Sequence, residues 1–287
     1  MQLTKKPFDL DLTLCCGQIF KWEKKDGWWC GVIEDKPVKI RQVNTQLEIK
    51  NASSNLIISY FGLNDNLYEI KRKICKDEHI KKALNRFWGL RIIHQDPWEC
   101  LISYICATYK SIAAIRNMLF KLSEKFGEKK ILDDHIFFTF PKPEKLQSVK
   151  EPDLLECGLG YRSKYVIATS KKVFHNESIF EDLANLPYSQ AKKKLIDLPG
   201  VGPKVADCIL LFSLGKNEAF PIDVWVKRVI LHYYSDHFSK QFISKISTTR
   251  SITNSEYNTL SEFGRTYFGE YAGYAQEYLY HFERMIS

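Results

Sequence analysis

The sequence predicts an α+β fold: an N-terminal twisted antiparallel β-sheet domain over residues 1–92, followed by an all-α region over 93–287. Three observations point there. Short apolar or alternating runs crowd the first part, and helical spacing of apolar residues takes over after residue 93. Two glycines, Gly200 and Gly202, separate two runs of helical periodicity. Hydrophobic residues make up 45% of the 287 and charged residues 26%, an ordinary balance for a chain that buries a sizeable core.

In the first part, 18–22, 28–33 and 38–41 read as strands. So does 46–50, where Leu47 and Ile49 alternate with polar neighbours after a turn at Asn44-Thr45. Segments 54–61 and 66–85 read as helices covering one face of the sheet. Next, Asp96-Pro97-Trp98-Glu99 is a helix start, with Asp as N-cap, Pro in the first position and Glu in the third. The aromatic- and proline-rich stretch 137–145 reads as a connector between helices. The C-terminal helix is expected to pack back near the N-terminal domain.

The stretch from Leu198 to Cys208 reads as helix, tight turn, helix. Its two glycines allow positive φ and close approach of the backbone to a partner. Pro203 suits the first turn of the second helix. The start of that helix carries unpaired N–H groups and a positive dipole end, which together form an anion site able to take a DNA phosphate. Lys204 sits in that first turn. A partly desolvated lysine loses its proton more readily and becomes a nucleophile, whereas a solvated one beside such a turn would simply touch phosphate. Asp223, in Pro221-Ile222-Asp223-Val224, is either an N-cap or a catalytic carboxylate, and it can be both.

The formal charge of +8 and a pI near 8.9 favour a polyanionic partner. No long apolar run and no charged-then-apolar leader is evident, so neither a membrane span nor a signal peptide is expected. The eight cysteines are scattered without a Cys-x-x-Cys pair. That argues against zinc or an iron–sulfur cluster and fits a reducing compartment.

The run Gly200-Val201-Gly202-Pro203-Lys204-Val205-Ala206-Asp207-Cys208, with Pro221-Ile222-Asp223-Val224 downstream, resembles the helix-hairpin-helix DNA glycosylase superfamily. Within it, the 8-oxoguanine DNA glycosylase/AP lyase branch is the nearest match. The resemblance extends from about Phe8 to Phe282 and includes Gly17-Gln18-Ile19-Phe20-Lys21-Trp22 and Gln276 on the last helix. It implies that Lys204 attacks C1′ of a flipped damaged nucleotide and that Asp223 supports departure of the base. The Gly17 carbonyl would accept the N7–H that 8-oxoguanine has and guanine lacks; the alternative is a turn or bulge glycine. Gln276 would read the Watson–Crick edge, and Cys208 and Tyr280 would pack on the two faces of the base. Gly200 and Gly202 would approach the backbone, with a monovalent cation on the carbonyls of Ile196, Leu198 and Val201. No cofactor is implied. The cluster of four cysteines near the C-terminus in endonuclease III-type relatives has no counterpart, since the last cysteine here is Cys208.

Some positions depart from the family. Tyr109-Lys110-Ser111 replaces an asparagine-rich turn, which leaves Tyr109 as the wedge. Ala114 stands where an arginine reads the opposite cytosine, and Trp225 where a histidine contacts phosphate. Tyr161 and Arg162 match residues that contact the opposite strand, so Tyr161 is expected to stack and Arg162 to read the orphan base.

The expected partner is double-stranded DNA containing oxidised guanine, bound by a monomer. The expected location is the cytoplasm with the nucleoid in a prokaryote, or the nucleus in a eukaryote. Two other readings stay open: a monofunctional glycosylase for another damaged or mismatched purine, and a non-catalytic helix-hairpin-helix DNA-binding protein. Lys204 counts against the first, and its pairing with Asp223 and Gln276 against the second.

Overall fold

The computed structural model describes residues 7–249 and 251–286. Helix α1 (Leu10–Cys15) is capped by Asp9, whose carboxylate accepts the Leu12 N–H at 2.8 Å. Four strands follow: β1 (Glu23–Lys25), β2 (Trp28–Ile33), β3 (Lys36–Val43) and β4 (Gln46–Lys50), each antiparallel to the next. The turns β2–β3 and β3–β4 have two residues each, with Glu34, Asp35 and Asn44 at positive φ, the tight turns that match strand twist.

Residues 18–22, expected as a strand, form an irregular connection. The reason is Gln18, whose backbone is satisfied by side chains rather than by a neighbouring strand. Its carbonyl accepts from Gln95 Nε2 at 2.8 Å and the Tyr104 hydroxyl at 2.9 Å. Its own buried amide donates to the carbonyl of Arg91 at 2.7 Å and accepts the Ile93 N–H at 2.8 Å.

Helices α2 (Ser54–Tyr60), α3 (Leu67–Ile74) and α4 (Glu78–Arg86) come next. The single helix expected over 66–85 breaks because Asp77 caps a new start, accepting from His79 at 2.7 Å and Ile80 at 3.1 Å. Trp22, Trp29, Val38, Ile40, Ile57 and Phe61 belong to a small core under the sheet. Leu67, Ile70, Ile80 and Leu84 instead join the large helical core, so α3 and α4 pack with the second half of the chain.

Helix α5 (Pro97–Ala107) starts as expected, Asp96 accepting the Glu99 N–H at 2.8 Å. After α6 (Ile112–Phe126) comes a hairpin, β5 (Lys129–Leu132) and β6 (His135–Phe138), on ground read from sequence as loop and connector. Asp133 and Asp134 take the positive φ its turn requires, and Phe138 packs edge-on against Phe120. The remaining helices are α7 (Pro143–Leu146), α8 (Glu151–Glu156), α9 (Arg162–Phe174), α10 (Ile179–Asn185), α11 (Tyr188–Ile196), α12 (Pro203–Phe212), α13 (Val224–Tyr233), α14 (Lys240–Thr248), α15 (Asn254–Phe268) and α16 (Ala272–Ile286).

Helix α16 is buried from Ala272 to Leu279 and ties the two ends of the chain together. The Tyr278 hydroxyl donates to the Leu90 carbonyl at 3.1 Å, and Arg284 Nη2 donates to the Cys15 carbonyl at 2.8 Å.

Gln18→Ala removes a buried amide and leaves the Ile93 N–H and the Arg91 carbonyl without their partner. We expect a loss of about 2–3 kcal/mol in stability, read by chemical denaturation.

Candidate active site

Helices α11 and α12 meet at the glycine turn. Gly200 has φ +82°, and a Cβ there would stand 2.7 Å from Tyr165 Cβ, so only glycine fits. Gly202 corrects the sequence reading, because it does not need positive φ. It is the N-cap of α12 with φ −95° and ψ −179°, and a Cβ there would meet nothing within 4 Å. What its missing side chain provides is open space.

Pro203 opens α12, and no side chain caps it. The first-turn N–H groups of Lys204 and Val205 therefore face outward with the positive dipole end behind them. The turn closes through the Val201 N–H on the Leu198 carbonyl at 3.1 Å, and Thr169 holds the Pro199 carbonyl at 2.7 Å.

The register of α12 is fixed from behind by Asp207, which is fully buried. It accepts from the Tyr188 and Tyr257 hydroxyls, both at 2.6 Å, and from Lys192 Nζ at 2.8 Å. A charge so placed is tolerated only because it is paired and hydrogen-bonded. Its effect is to hold α12 in one rotation about its axis, with Lys204, three residues before it, and Cys208, the residue after it, turned toward the site.

Lys204 Nζ sits 5.0 Å above the Tyr104 ring, which itself stacks on Phe212 at 5.7 Å. Tyr104 thereby links the lysine to the Gln18 carbonyl and the glycine beside it. Across from Lys204 is Asp223. Its Oδ1 caps α13, accepting from Trp225 and Val226 at 2.9 Å each. Burial pushes the Asp223 carboxyl above its ordinary range, opposed by the two backbone N–H groups and by the Lys204 charge. Cys208 is buried one turn from Lys204. Its thiol is pushed up to about 12 by burial, so it is a neutral, polarizable contact rather than a nucleophile.

The opposite wall joins Gly17 to α16. Gly17 has φ +113°, and a Cβ there would fall 2.5 Å from Arg284 Nη1 and 3.0 Å from the Tyr280 hydroxyl. Arg284 Nη1 donates to that hydroxyl at 3.1 Å. Gln276, one turn earlier on α16, is 5% exposed, and its Oε1 has no hydrogen-bond partner among the described residues. An unpaired buried amide oxygen is costly unless something arrives to fill it.

Gly17, Lys204, Cys208, Asp223, Gln276 and Tyr280 thus converge from helices and loops far apart in sequence. The residues expected from the sequence to contact DNA are spread around this centre. Tyr109 is 86% exposed with φ +54°, projecting from the turn between α5 and α6. Tyr161 is exposed and meets Tyr165 edge-on at 6.2 Å, beside Gly200. Arg162 differs from the expectation of a presented reader. It is 3% exposed, and its guanidinium is turned inward to the Thr108 carbonyl, behind Tyr109. Trp225 is half-buried under the Arg228 guanidinium, 4.7 Å from the ring. Ala114 presents no hydrogen-bonding side chain.

Sequence reasoning missed Asp207, Tyr104 and Arg284. Asp207 lay inside the quoted motif, and a lone acid among apolar helix positions was the signal. A cleft of about 480 Å³ lies elsewhere, lined by Phe20, Trp22, Arg116, Phe120 and Phe138, and holds none of the converging residues. Among the described residues, no cluster of His, Cys, Asp and Glu could hold a metal ion.

Comparison with known proteins agrees with this geometry. Residues 1–101 match the family described as 8-oxoguanine DNA glycosylase, N-terminal domain, and residues 102–250 match the HhH-GPD superfamily of base excision DNA repair proteins. An N-glycosylase/DNA lyase of Arabidopsis thaliana is 30% identical over 98% of this chain and 78% of its own. A probable N-glycosylase/DNA lyase of Methanothermobacter thermautotrophicus is 29% identical over 99% of this chain and 96% of its own. The solved 8-oxoguanine glycosylase/lyase of Clostridium acetobutylicum, in complex with double-stranded DNA carrying cytosine opposite 8-oxoguanine, superposes with a TM-score of 0.87. It is 31% identical, covering 98% of this chain and 93% of that one.

Two substitutions test the geometry. Gly17→Ala forces a side chain into a left-handed position against Arg284 and Tyr280, and we expect a loss of about 1–3 kcal/mol by denaturant titration. Asp207→Ala leaves the Lys192 ammonium without its buried partner, and we expect a loss of about 3 kcal/mol in the same measurement.

Proposed function

The chain belongs to the 8-oxoguanine glycosylase/lyase branch of the helix-hairpin-helix base excision repair superfamily, and from that premise we propose that Lys204 is its nucleophile and Asp223 the carboxylate that works with it. The protein is a bifunctional DNA glycosylase and AP lyase that excises 8-oxoguanine from duplex DNA. The observation that carries the residue roles is the facing pair itself. Lys204 stands at an uncapped helix start over an aromatic ring, and the enclosed carboxylate of Asp223 feels its charge.

The target atom is unreachable inside the base stack, so the nucleotide must be flipped out. In our reading Lys204 gives up a proton to solvent, its amine attacks C1′ and the C1′–N9 bond breaks. The base departs with that electron pair and takes up a proton. Asp223 stabilises the cationic sugar as the bond lengthens, its own cap bonds holding it still. The lysine adduct opens to an imine. Loss of a C2′ proton then expels the 3′ phosphate by β-elimination.

Gln276 offers its free amide oxygen to the Watson–Crick edge of the flipped base, and the Gly17 carbonyl takes N7–H. The Cys208 thiol and the Tyr280 ring cover the two faces.

For the duplex, we propose that Gly200 and Gly202 let the backbone come close to α12, with a monovalent cation on the carbonyls of Ile196, Leu198 and Val201 sharing a phosphate. Tyr109 fills the vacated stack and Tyr161 packs on the opposite strand. Arg162 reads the orphan base by swinging out from the Thr108 carbonyl. Trp225 gives one N–H to a phosphate.

The protein works as a monomer in this reading, since one chain supplies every pocket residue. No described helix is long and apolar enough to cross a membrane. We place the enzyme with chromosomal DNA, in the nucleoid or the nucleus.

Borohydride trapping tests the nucleophile. With duplex carrying 8-oxoguanine opposite each base in turn, the wild type should give a covalent adduct and Lys204→Gln none, while DNA affinity falls less than about tenfold. Base release without an adduct in the wild type would assign the displacement to water. If Ala114 relaxes the choice of partner base, adduct yields should differ little among the four duplexes.

A further inference from the structure

The last helix carries a buried acid that the reaction above does not use. Glu277 follows Gln276 and is 2% exposed. Among the described residues its Oε1 has no hydrogen-bond partner, like Oε1 of Gln276 and Nδ1 of the buried His281 one turn on. The carboxyl lies against the thiol of Cys16, the residue before Gly17. Cys16 is completely buried and gripped on its other side, its sulfur accepting from Gln18 Nε2 at 3.1 Å and facing the Thr13 carbonyl at 3.2 Å. Glu277 is therefore a neighbour in sequence of the base-reading amide and a neighbour in space of the turn that bears the N7–H acceptor.

We propose that Glu277 is a positioning residue for excision, bracing the Cys16–Gly17 turn from behind and setting the charge that the departing base meets. The proposal rests on the 8-oxoguanine reading above and deepens it.

The charged and titratable groups around Glu277 decide which form it takes. Asp223 faces it from the start of α13 and Arg284 from its own helix, with Cys16 in contact. Cys208 of α12, Tyr104 of α5 and Tyr280 of α16 also feel it. All three are held neutral by burial, as is His281, which burial pushes down to about 4. Burial dominates at Glu277 and raises it to about 7, against the pull of Cys16 and Arg284. Below that pH the side chain is a neutral acid, and above it an anion.

The consequence is specific to this chemistry. When C1′–N9 breaks, the electron pair leaves on the purine, whose edge lies against Gln276. A neutral Glu277 leaves that developing charge unopposed. An ionised Glu277 repels it across a site with little water, where charges interact strongly. The anion would also push against Asp223, which must carry its own charge beside the sugar.

The test is the pH dependence of base release under single-turnover conditions, with 8-oxoguanine duplex and the full chain, for wild type and Glu277→Gln. The shape of the profile is the readout, not the absolute rate. The wild type should lose activity as pH rises through about 7, approaching about tenfold per unit above it. Glu277→Gln, neutral at every pH, should lack that inflection.

Cys16→Ala provides a second variant in case the first folds poorly. Cys16 lowers Glu277, so its removal should move the inflection to higher pH. Wild-type and variant profiles that run parallel, or an inflection unmoved in Cys16→Ala, would overturn the proposal. Absence of 8-oxoguanine release by the wild type at any pH would instead overturn the substrate reading on which it rests.

Discussion

The structure depends on holding one half-buried carboxylate, that of Asp223, at the start of α13. Asp223 is raised by its own burial, and the two α13 N–H groups, the Lys204 charge and, more weakly, Arg284 hold it toward the ionised form. Each of those supports needs an anchor. The N–H groups need α13 to begin at Val224, and the lysine needs α12 in one rotation about its axis. Asp207 supplies that rotation by pairing with Lys192 and two tyrosine hydroxyls. Two aspartates sixteen residues apart thus divide the labour, one fully buried to hold α12 and one half-buried to start α13 and, in our proposal, to serve the reaction.

The pocket is closed by joining the two ends of the chain. Gly17 and Gln18 lie near the start, and Gln276, Tyr280 and Arg284 near the end. Arg284 reaches the Cys15 carbonyl, and Tyr278 reaches Leu90. A wall built from such distant segments exists only when the whole chain has folded, because no local unit holds both halves. Lys204 is different, since the hairpin that bears it is local in sequence. The backbone grip and the base reading that we propose therefore rest on different ranges of the fold.

That difference explains what was legible. The hairpin, Pro203 at the start of α12, the Asp96 cap and the strands at 28–33 and 46–50 could all be read because their signals sit within a few residues. The 18–22 segment misled because its alternating pattern suggests a strand, while Gln18 draws its partners from 70 and more residues away. The hairpin at Asp133-Asp134 was lost among aromatics and prolines. Gly202 was read as a left-handed glycine when it is an extended one with empty space beside it. Arg162 matched a contact motif, yet in the folded chain its guanidinium satisfies Thr108. Asp207 and Glu277 were hidden for one reason: a buried acid is intelligible only through its partners, and those come from other helices.

The thiol of Cys208 has a consequence for endurance. An enzyme that meets oxidised guanine works where oxidants are present, and a pocket cysteine is an obvious casualty. Oxidants attack the thiolate, and with the thiol at about 12 that form is about one part in a hundred thousand at neutral pH. The same dryness that raises the thiol makes it a poor target, so this position keeps a soft, polarizable surface without the usual chemical fragility of a cysteine.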